Sequence, residues 1–308
     1  MVVCRRLCWV GFGCAVIETF CFGPGRGQWS GTRSAALSLP RFPRPDGLHA
    51  LRRANREGLF QCRDRAESGK ELSDEELFWN REYGPGGSFE FWSLERPKLE
   101  IERLCSELQE LNGLSAVILG CGLGLDVAHL AGAARAACPC EERDAVVVGG
   151  VDFAWAAIKA ARKEYSGTAG CFFYHADACE LPEPSVPLDL LIDNTIFQNV
   201  YRSGCLEDYL RALKRISTPG RTLLHLNLMS REGIESRPEF QKDMELLNLP
   251  LLRQHEILDA LSGWQICNCR EGHYDLNPEA VGFKGEAFYS PTTTSPGIPS
   301  WCITALRS

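Results

Sequence analysis

The sequence predicts an α/β fold, a mostly parallel sheet with helices on both faces, finished by antiparallel pairing at the C-terminus. Three observations carry this expectation. Between residues 116 and 228, buried-strand patterns alternate with helix-period stretches, the rhythm of a sheet built from strand–helix–strand units. The first strand pattern ends in Gly120-Cys121-Gly122-Leu123-Gly124 and runs straight into a helical stretch. The last two strand patterns, 264–269 and 300–306, are joined by a polar, turn-rich connection (282–294) with no helical period between them. They are therefore expected to form an antiparallel ribbon at the sheet edge.

Acidic Glu71, Asp74, Glu75 and Glu76 open a helix leading into the aromatic cluster Phe78, Trp79, Tyr83, Phe89, Phe91 and Trp92, with Gly84-Pro85-Gly86-Gly87 inside it. Aromatic side chains around a glycine-rich turn predict a lid over residues 72–97. A helix follows over 97–111, with Leu99, Ile101, Leu104, Leu108 and Leu111 near the helical period and Asn112-Gly113 as its stop. Strands are predicted at 116–119, 145–151, 171–174, 188–192 and 221–228. Helices are predicted after the glycine loop, through Val127, Leu130 and Ala131, at 154–165, and at 206–216, where Leu206, Leu210 and Leu213 share one face. Residues 137–144 are read as an extra loop.

The net charge of -7 hides an asymmetry: residues 1–65 hold 11 Arg, no Lys and four acidic groups, leaving 22 basic and 36 acidic groups in 66–308. So acidic a body repels phosphate backbones, which argues against a nucleic-acid substrate. In the first 65 residues, Arg5 and Arg6 precede an apolar stretch (7–22) with the length and flanks of a signal-peptide core, too short and too interrupted to span a membrane. Residues 23–65 turn to Arg, Ser, Gly and Pro, the composition of a transit peptide. The two together resemble the two-part leader of proteins sent to complex plastids. A targeting segment at 1–65 and a body at 66–308 follow, with an organelle, plastid first, as destination. A mitochondrial presequence, entry to the secretory pathway and a disordered basic tail remain the alternatives.

Fifteen cysteines are scattered and odd in number, and the close pairs Cys138/Cys140 and Cys267/Cys269 lack the two-residue gap favoured in zinc knuckles. They read as small buried hydrophobes, and no metal is assigned.

Chemistry concentrates at the predicted strand ends. Gly120, Gly122 and Gly124 put bare backbone at the carboxyl edge of the sheet, where a helix N-terminus receives an anion such as a pyrophosphate or an amino-acid carboxylate. The second strand ends at Asp152, followed by Phe153, and offers a carboxylate for ribose hydroxyls. The third leads to Asp177-Ala178, a second carboxylate suited to an adenine amino group. The dinucleotide pattern needs a small residue at 125, where Leu125 stands. Singly, each acid is as well explained as a helix cap.

These residues resemble a known family. Gly120-Cys121-Gly122-Leu123-Gly124-Leu125-Asp126 is similar to the first motif of class I S-adenosylmethionine-dependent methyltransferases. With Leu130-Ala131 it is nearer to the thiopurine and thiol or halide methyltransferases. Val151-Asp152-Phe153, Asp177-Ala178 and the run from Asp189 to Phe197 resemble later motifs, Gly297-Ile298-Pro299-Ser300-Trp301 the entry to the last strand, and residues 78–83 the aromatic lid. The family's usual acid at the end of the first strand is Ile118 here. The resemblance implies a Rossmann-like seven-stranded methyltransferase sheet, mostly parallel with an antiparallel C-terminal strand. It also implies S-adenosyl-L-methionine bound by Gly120, Cys121, Gly122, Gly124, Asp126, Asp152, Phe153, Asp177, Ala178, Asp193, Trp79 and Tyr83. Asp193 is expected to orient the sulfonium or the acceptor, and Trp92, Phe197 and Tyr201 to line the substrate pocket.

The implied reaction is direct in-line transfer to a small nucleophilic acceptor such as a thiol or halide, with no partner protein and no stable membrane insertion. A protein or carboxyl methyltransferase remains open, as do a non-catalytic nucleoside-binding module and a nicotinamide-type oxidoreductase. Tyr201 and His225 are further acid or base candidates, although a lone histidine on a buried strand is more often structural.

Overall fold

The computed structural model describes residues 3–4, 20–21, 47–61, 72–84, 92–107, 113–237, 251–277 and 297–308. Seven strands run as β1 (Leu114–Leu119), β2 (Val146–Asp152), β3 (Cys171–His175), β4 (Leu190–Asp193), β5 (Leu223–Met229), β6 (Trp264–Asp275) and β7 (Gly297–Arg307). They form one sheet in the order β3-β2-β1-β4-β5-β7-β6. The first five are parallel to one another, and β7 slots antiparallel between β5 and β6. The antiparallel ribbon expected from the last two strand patterns is therefore present, and β6 continues six residues past the predicted end at 269.

Burial on both faces explains why the strands read as unbroken apolar runs. Alternate side chains of β1 serve opposite layers. Val117 and Leu119 pack with helices α1 (Gly47–Glu57), α6 (Ile196–Arg202), α7 (Leu206–Ile216) and α9 (Gln254–Ala260). Ala116 and Ile118 pack with α3 (Leu99–Glu107), α4 (Leu125–Ala137) and α5 (Trp155–Tyr165). Two more helices, α2 (Asp74–Glu82) and the short α8 (Arg231–Glu235), complete the set. Residues 137–144, expected as a loop, include a 3₁₀ turn at Cys140–Ala145 that follows Pro139.

Register decides where the strands end. Leu119 lies opposite Val151 on one side and Asp193 on the other, and Asp152 lies opposite His175. The carboxyl ends of β1 to β4 thus form one row, and whatever follows each strand faces a common space.

The boundary at residue 65 needs correction. Helix α1 packs Leu51 and Ala54 into the main core, Leu59 and Phe60 follow them, and the Leu59 N–H donates to the Tyr174 hydroxyl (2.5 Å). Residues 47–61 thus belong to the body: a Leu48-Leu51-Ala54 stripe makes an arginine-rich stretch amphipathic. Met1–Ala36 is a separate unit in which Val3–Cys4 pairs antiparallel with Phe20–Cys21. The rest of the leader reading lies outside the described residues, as do Phe89, Phe91, the end of the helix predicted to reach 111, and the 282–294 connection. No helix among the described residues is long and apolar enough to cross a membrane.

One buried polar cluster ties α3 to the far strands. Glu100 accepts from Arg270, and the His225 Nε2 stands 3.1 Å from its carboxylate. Beside it, Asp275 accepts from the Leu99 N–H (2.7 Å) and from Arg96 (3.2 Å). His225 also meets Thr304 at 3.0 Å, so its role is structural. Burial raises the Glu100 pKa, but His225 and Arg270 outweigh it and hold the carboxyl at about 2. A depressed carboxyl contributes stability above the unfolded-state value and loses it as pH falls toward about 2. Urea unfolding is expected to show a loss on the order of 3 kcal/mol across that acidic window. The Glu100→Gln variant is expected to be weaker near neutrality and to lack that acid-dependent component.

Candidate functional site

The glycine loop sits where β1 stops. Gly120 N–H and Cys121 N–H both donate to Val151 O (2.9 and 3.1 Å), and Gly124 N–H returns to Cys121 O (3.0 Å). Gly120, Gly122 and Gly124 all hold left-handed backbone, at φ of 70, 51 and 86°. At Gly124 a Cβ would come within 2.6 Å of the Phe173 ring, so glycine is needed both for conformation and for space. At Gly122 a Cβ would stand 2.8 Å from the Tyr83 hydroxyl, which lies over the loop.

Asp152 holds that loop from below. Its two oxygens accept one backbone N–H each, from Gly122 (2.9 Å) and from Ala154 (2.9 Å). Burial pushes the carboxyl pKa up, against the pull of the Ala154 and Gly122 amides. A carboxylate has about four acceptor positions, so these two bonds leave capacity for a ligand. Asp177 holds the Cys179 N–H at 2.9 Å, in the turn after β3.

A cavity of about 550 Å³ opens over this row of strand ends. Of the residues expected to bind cofactor, Gly120, Cys121, Gly122, Gly124, Asp126, Asp152, Phe153, Asp177, Ala178, Trp79 and Tyr83 line it, as does Trp92 from the expected substrate pocket. Helix α2 forms its cover. Ser73 and Glu76 make a reciprocal capping box at its start, and Trp79 and Tyr83 face each other at 6.2 Å. Asn80 ties the cover to the body: its Oδ1 accepts the Ala156 N–H (3.1 Å), the cap that α5 lacks at Ala154. An Asn80→Ala variant is expected to lose about 1 kcal/mol of stability, the value of a helix cap, seen as an earlier thermal midpoint.

Three expected site residues are placed elsewhere. Asp193 is fully buried and accepts from Ile196 N–H (2.7 Å), Phe197 N–H (2.9 Å) and the Tyr209 hydroxyl (2.5 Å). It caps α6 and does not line the cavity. Burial raises its pKa to about 6, against those three donors. Phe197 is fully buried, edge-on to Tyr209. Tyr201 is exposed on α6, with its hydroxyl 3.5 Å from Glu256. Asp126 does border the cavity, with its carboxylate engaged by the Lys98 N–H (3.1 Å) and ammonium (2.9 Å).

The structure adds wall residues to which the sequence assigned no role of their own: Lys98, Gln198, Met229 and Tyr274, and Asn194 from within the Asp189–Phe197 run. Met229 ends β5 and was findable by the strand-end rule that found Asp152. Gln198 stands one helical turn beyond Asn194, and nothing in the sequence marked Lys98. Tyr274 lies in the part of β6 beyond the predicted strand.

No protein-family model matches the chain, nor does any curated protein. Solved structures do match. One, described for the conversion of a disulfide bond into a thioacetal group during echinomycin biosynthesis, is 21% identical. The match covers 76% of this chain and 93% of that one, with a TM-score of 0.55. A SAM-dependent methyltransferase from Anabaena variabilis is 14% identical over 76% of this chain and 93% of its own, with a TM-score of 0.54. Phosphoethanolamine N-methyltransferase 2 of Haemonchus contortus, in complex with S-adenosyl-L-methionine, is 15% identical over 77% of this chain and 60% of its own, with a TM-score of 0.51. Strand order, the antiparallel β7 and these likenesses agree: the chain has the Rossmann-like fold of S-adenosylmethionine-dependent methyltransferases.

Proposed function

We propose that this protein binds S-adenosyl-L-methionine and transfers its methyl group to a small nucleophilic acceptor of the thiol or halide kind. The observation that carries the reading is the convergence of a bare glycine loop, Asp152 and Asp177 on one cavity at the carboxyl ends of neighbouring strands. The residues fit the cofactor. The loop has no side chain where a Cβ at 122 would fill the space under Tyr83. Asp152 keeps acceptor positions for ribose hydroxyls, and Asp177 suits an adenine amino group.

Bound there, the cofactor would supply an activated methyl group on a sulfonium. The chain's own contribution is to orient and to exclude water. Trp79, Tyr83 and Trp92 wall the cavity with aromatic rings, which also favour a cation. Burial and the nearby Asp152 keep the Tyr83 hydroxyl protonated, so it acts as a neutral donor. Asp126, the acid of the first motif, is occupied by Lys98, and Asp193 by the start of α6. A nucleophile that arrives as an anion, such as a thiolate or halide, needs no base from either.

Incubation with methyl-labelled cofactor and a panel of thiols, halides and peptides tests the reading. Label in thioethers or methyl halides is expected. Label in peptides alone would favour protein methylation, and saturable binding without product a non-catalytic module. For the leader we propose delivery to an organelle, plastid first, supported by the arginine-rich composition of residues 1–46. Because α1 belongs to the core, any cleavage is expected before Gly47, and N-terminal sequencing of the mature protein reads this directly.

A further inference from the structure

The cavity wall carries a charged pair that the nucleoside contacts proposed above do not use. Lys98 immediately precedes α3, Asp126 lies in the first turn of α4, and both line the cavity beside the glycine loop. The Lys98 ammonium donates to one Asp126 oxygen (2.9 Å) and the Lys98 N–H to the other (3.1 Å). Their side chains are 15% and 8% exposed. An ammonium has three donors and a carboxylate about four acceptor positions, so each keeps about two for a ligand. Burial works against the ammonium, but Asp126, Tyr274 and Asp275 outweigh it and hold its pKa above the usual value, so the charge persists.

The other charges on the cavity are differently placed. Asp152 and Asp177 are assigned to the nucleoside. Glu75 stands 3.8 Å from Arg202 and Arg96 3.2 Å from Asp275, and neither of those partners lines the cavity. Glu95, Lys163 and Glu164 are exposed, where water weakens their attraction for a ligand. Among the described residues, Lys98 and Asp126 are therefore the opposite-charge pair that has both members in the wall and both largely shielded from water. As a mere staple such a pair is weak, because desolvation offsets much of its attraction. It is well suited to a ligand that brings both charges at once. Helix N-terminal amides ordinarily receive a carboxylate, but Asp126 already places a negative charge in the first turn of α4 and repels a second one there.

We infer that Lys98 and Asp126 form the site for the amino-acid end of the cofactor, the Lys98 ammonium receiving its carboxylate and the Asp126 carboxylate its ammonium. The two protein groups already hold each other in place, so the zwitterion meets a preorganised partner and joins a four-charge cluster of alternating sign. The inference rests on the cofactor reading above and assigns the part of the cofactor that Asp152 and Asp177 leave without a partner.

The test is equilibrium calorimetry on the full chain with two probes, S-adenosyl-L-homocysteine and methylthioadenosine, which share the nucleoside thioether and differ in the amino-acid end. The parent protein is expected to prefer the homocysteine compound on the order of ten- to a hundredfold, the size of a charged hydrogen bond. In Lys98→Met that preference is expected to collapse toward unity through loss of S-adenosyl-L-homocysteine affinity alone, with methylthioadenosine bound as before. Lys98→Arg, which keeps the charge, is expected to retain most of it. Should Lys98→Met fail to fold with Asp126 left unpaired, the double variant Lys98→Met/Asp126→Asn removes both charges and is expected to show the same collapse. Absence of preference in the parent, or a preference that survives in these variants because both affinities stay or fall in parallel, overturns the inference and leaves the pair as a tie between α3 and α4, with the nucleoside site standing. Failure of the parent to bind either probe overturns the cofactor reading itself, and the inference with it.

Discussion

A Gly122→Val variant is expected to remain folded and to lose measurable S-adenosyl-L-methionine binding. Two causes act together. Residue 122 sits at φ 51°, where an L side chain costs roughly 1–2 kcal/mol and a β-branched one more. The added Cβ would also stand 2.8 Å from the Tyr83 hydroxyl, in the space between loop and cover. The loop lies at the surface of the cavity, outside the β1–β2–β4 core, so circular dichroism is expected to stay native while calorimetric binding disappears. Unchanged affinity would mean that the loop does not face the ligand.

The second large effect is expected at Asp152, whose carboxylate works in two directions. It accepts the Gly122 and Ala154 amides, and in the proposed complex it also accepts ribose hydroxyls. Asp152→Ala is expected to weaken cofactor binding by about 1–3 kcal/mol for the unpaired hydroxyls, and to loosen the loop besides. Asp152→Asn retains one acceptor oxygen and is expected to fall between. Methyl-transfer measurements are expected to show the loss in the cofactor's KM, since Asp152 holds the ligand and does not touch the transferred group. A loss confined to kcat would contradict that assignment.

The sheet was legible because a strand buried on both faces has to be apolar throughout. Val117 and Ile118 face opposite layers and are equally hydrophobic. The glycine loop and the acids at 152 and 177 were legible for a related reason, as the positions next after each strand. Asp193 met the same rule and proved to be a helix cap. A carboxylate after a strand looks identical in sequence whether it faces a ligand or the amides of the next helix, and Tyr209, which completes its shell, lies 16 residues away. Tyr274 was hidden because Arg270 and His273 interrupt the apolar pattern of β6, while the partner that makes Arg270 acceptable, Glu100, is 170 residues distant. The helix over 47–57 was masked by its arginines, whose charge resembled a leader more than its narrow apolar stripe resembled a helix.

The central claim is that an adenosyl sulfonium lies across the ends of β1 to β4. A crystal structure with S-adenosyl-L-homocysteine tests it most directly. The ribose hydroxyls are expected within hydrogen-bond distance of Asp152, the adenine beside Asp177 and the thioether facing Asn194. Ligand density outside the space beneath Tyr83, or no ligand at saturating concentration, would contradict it.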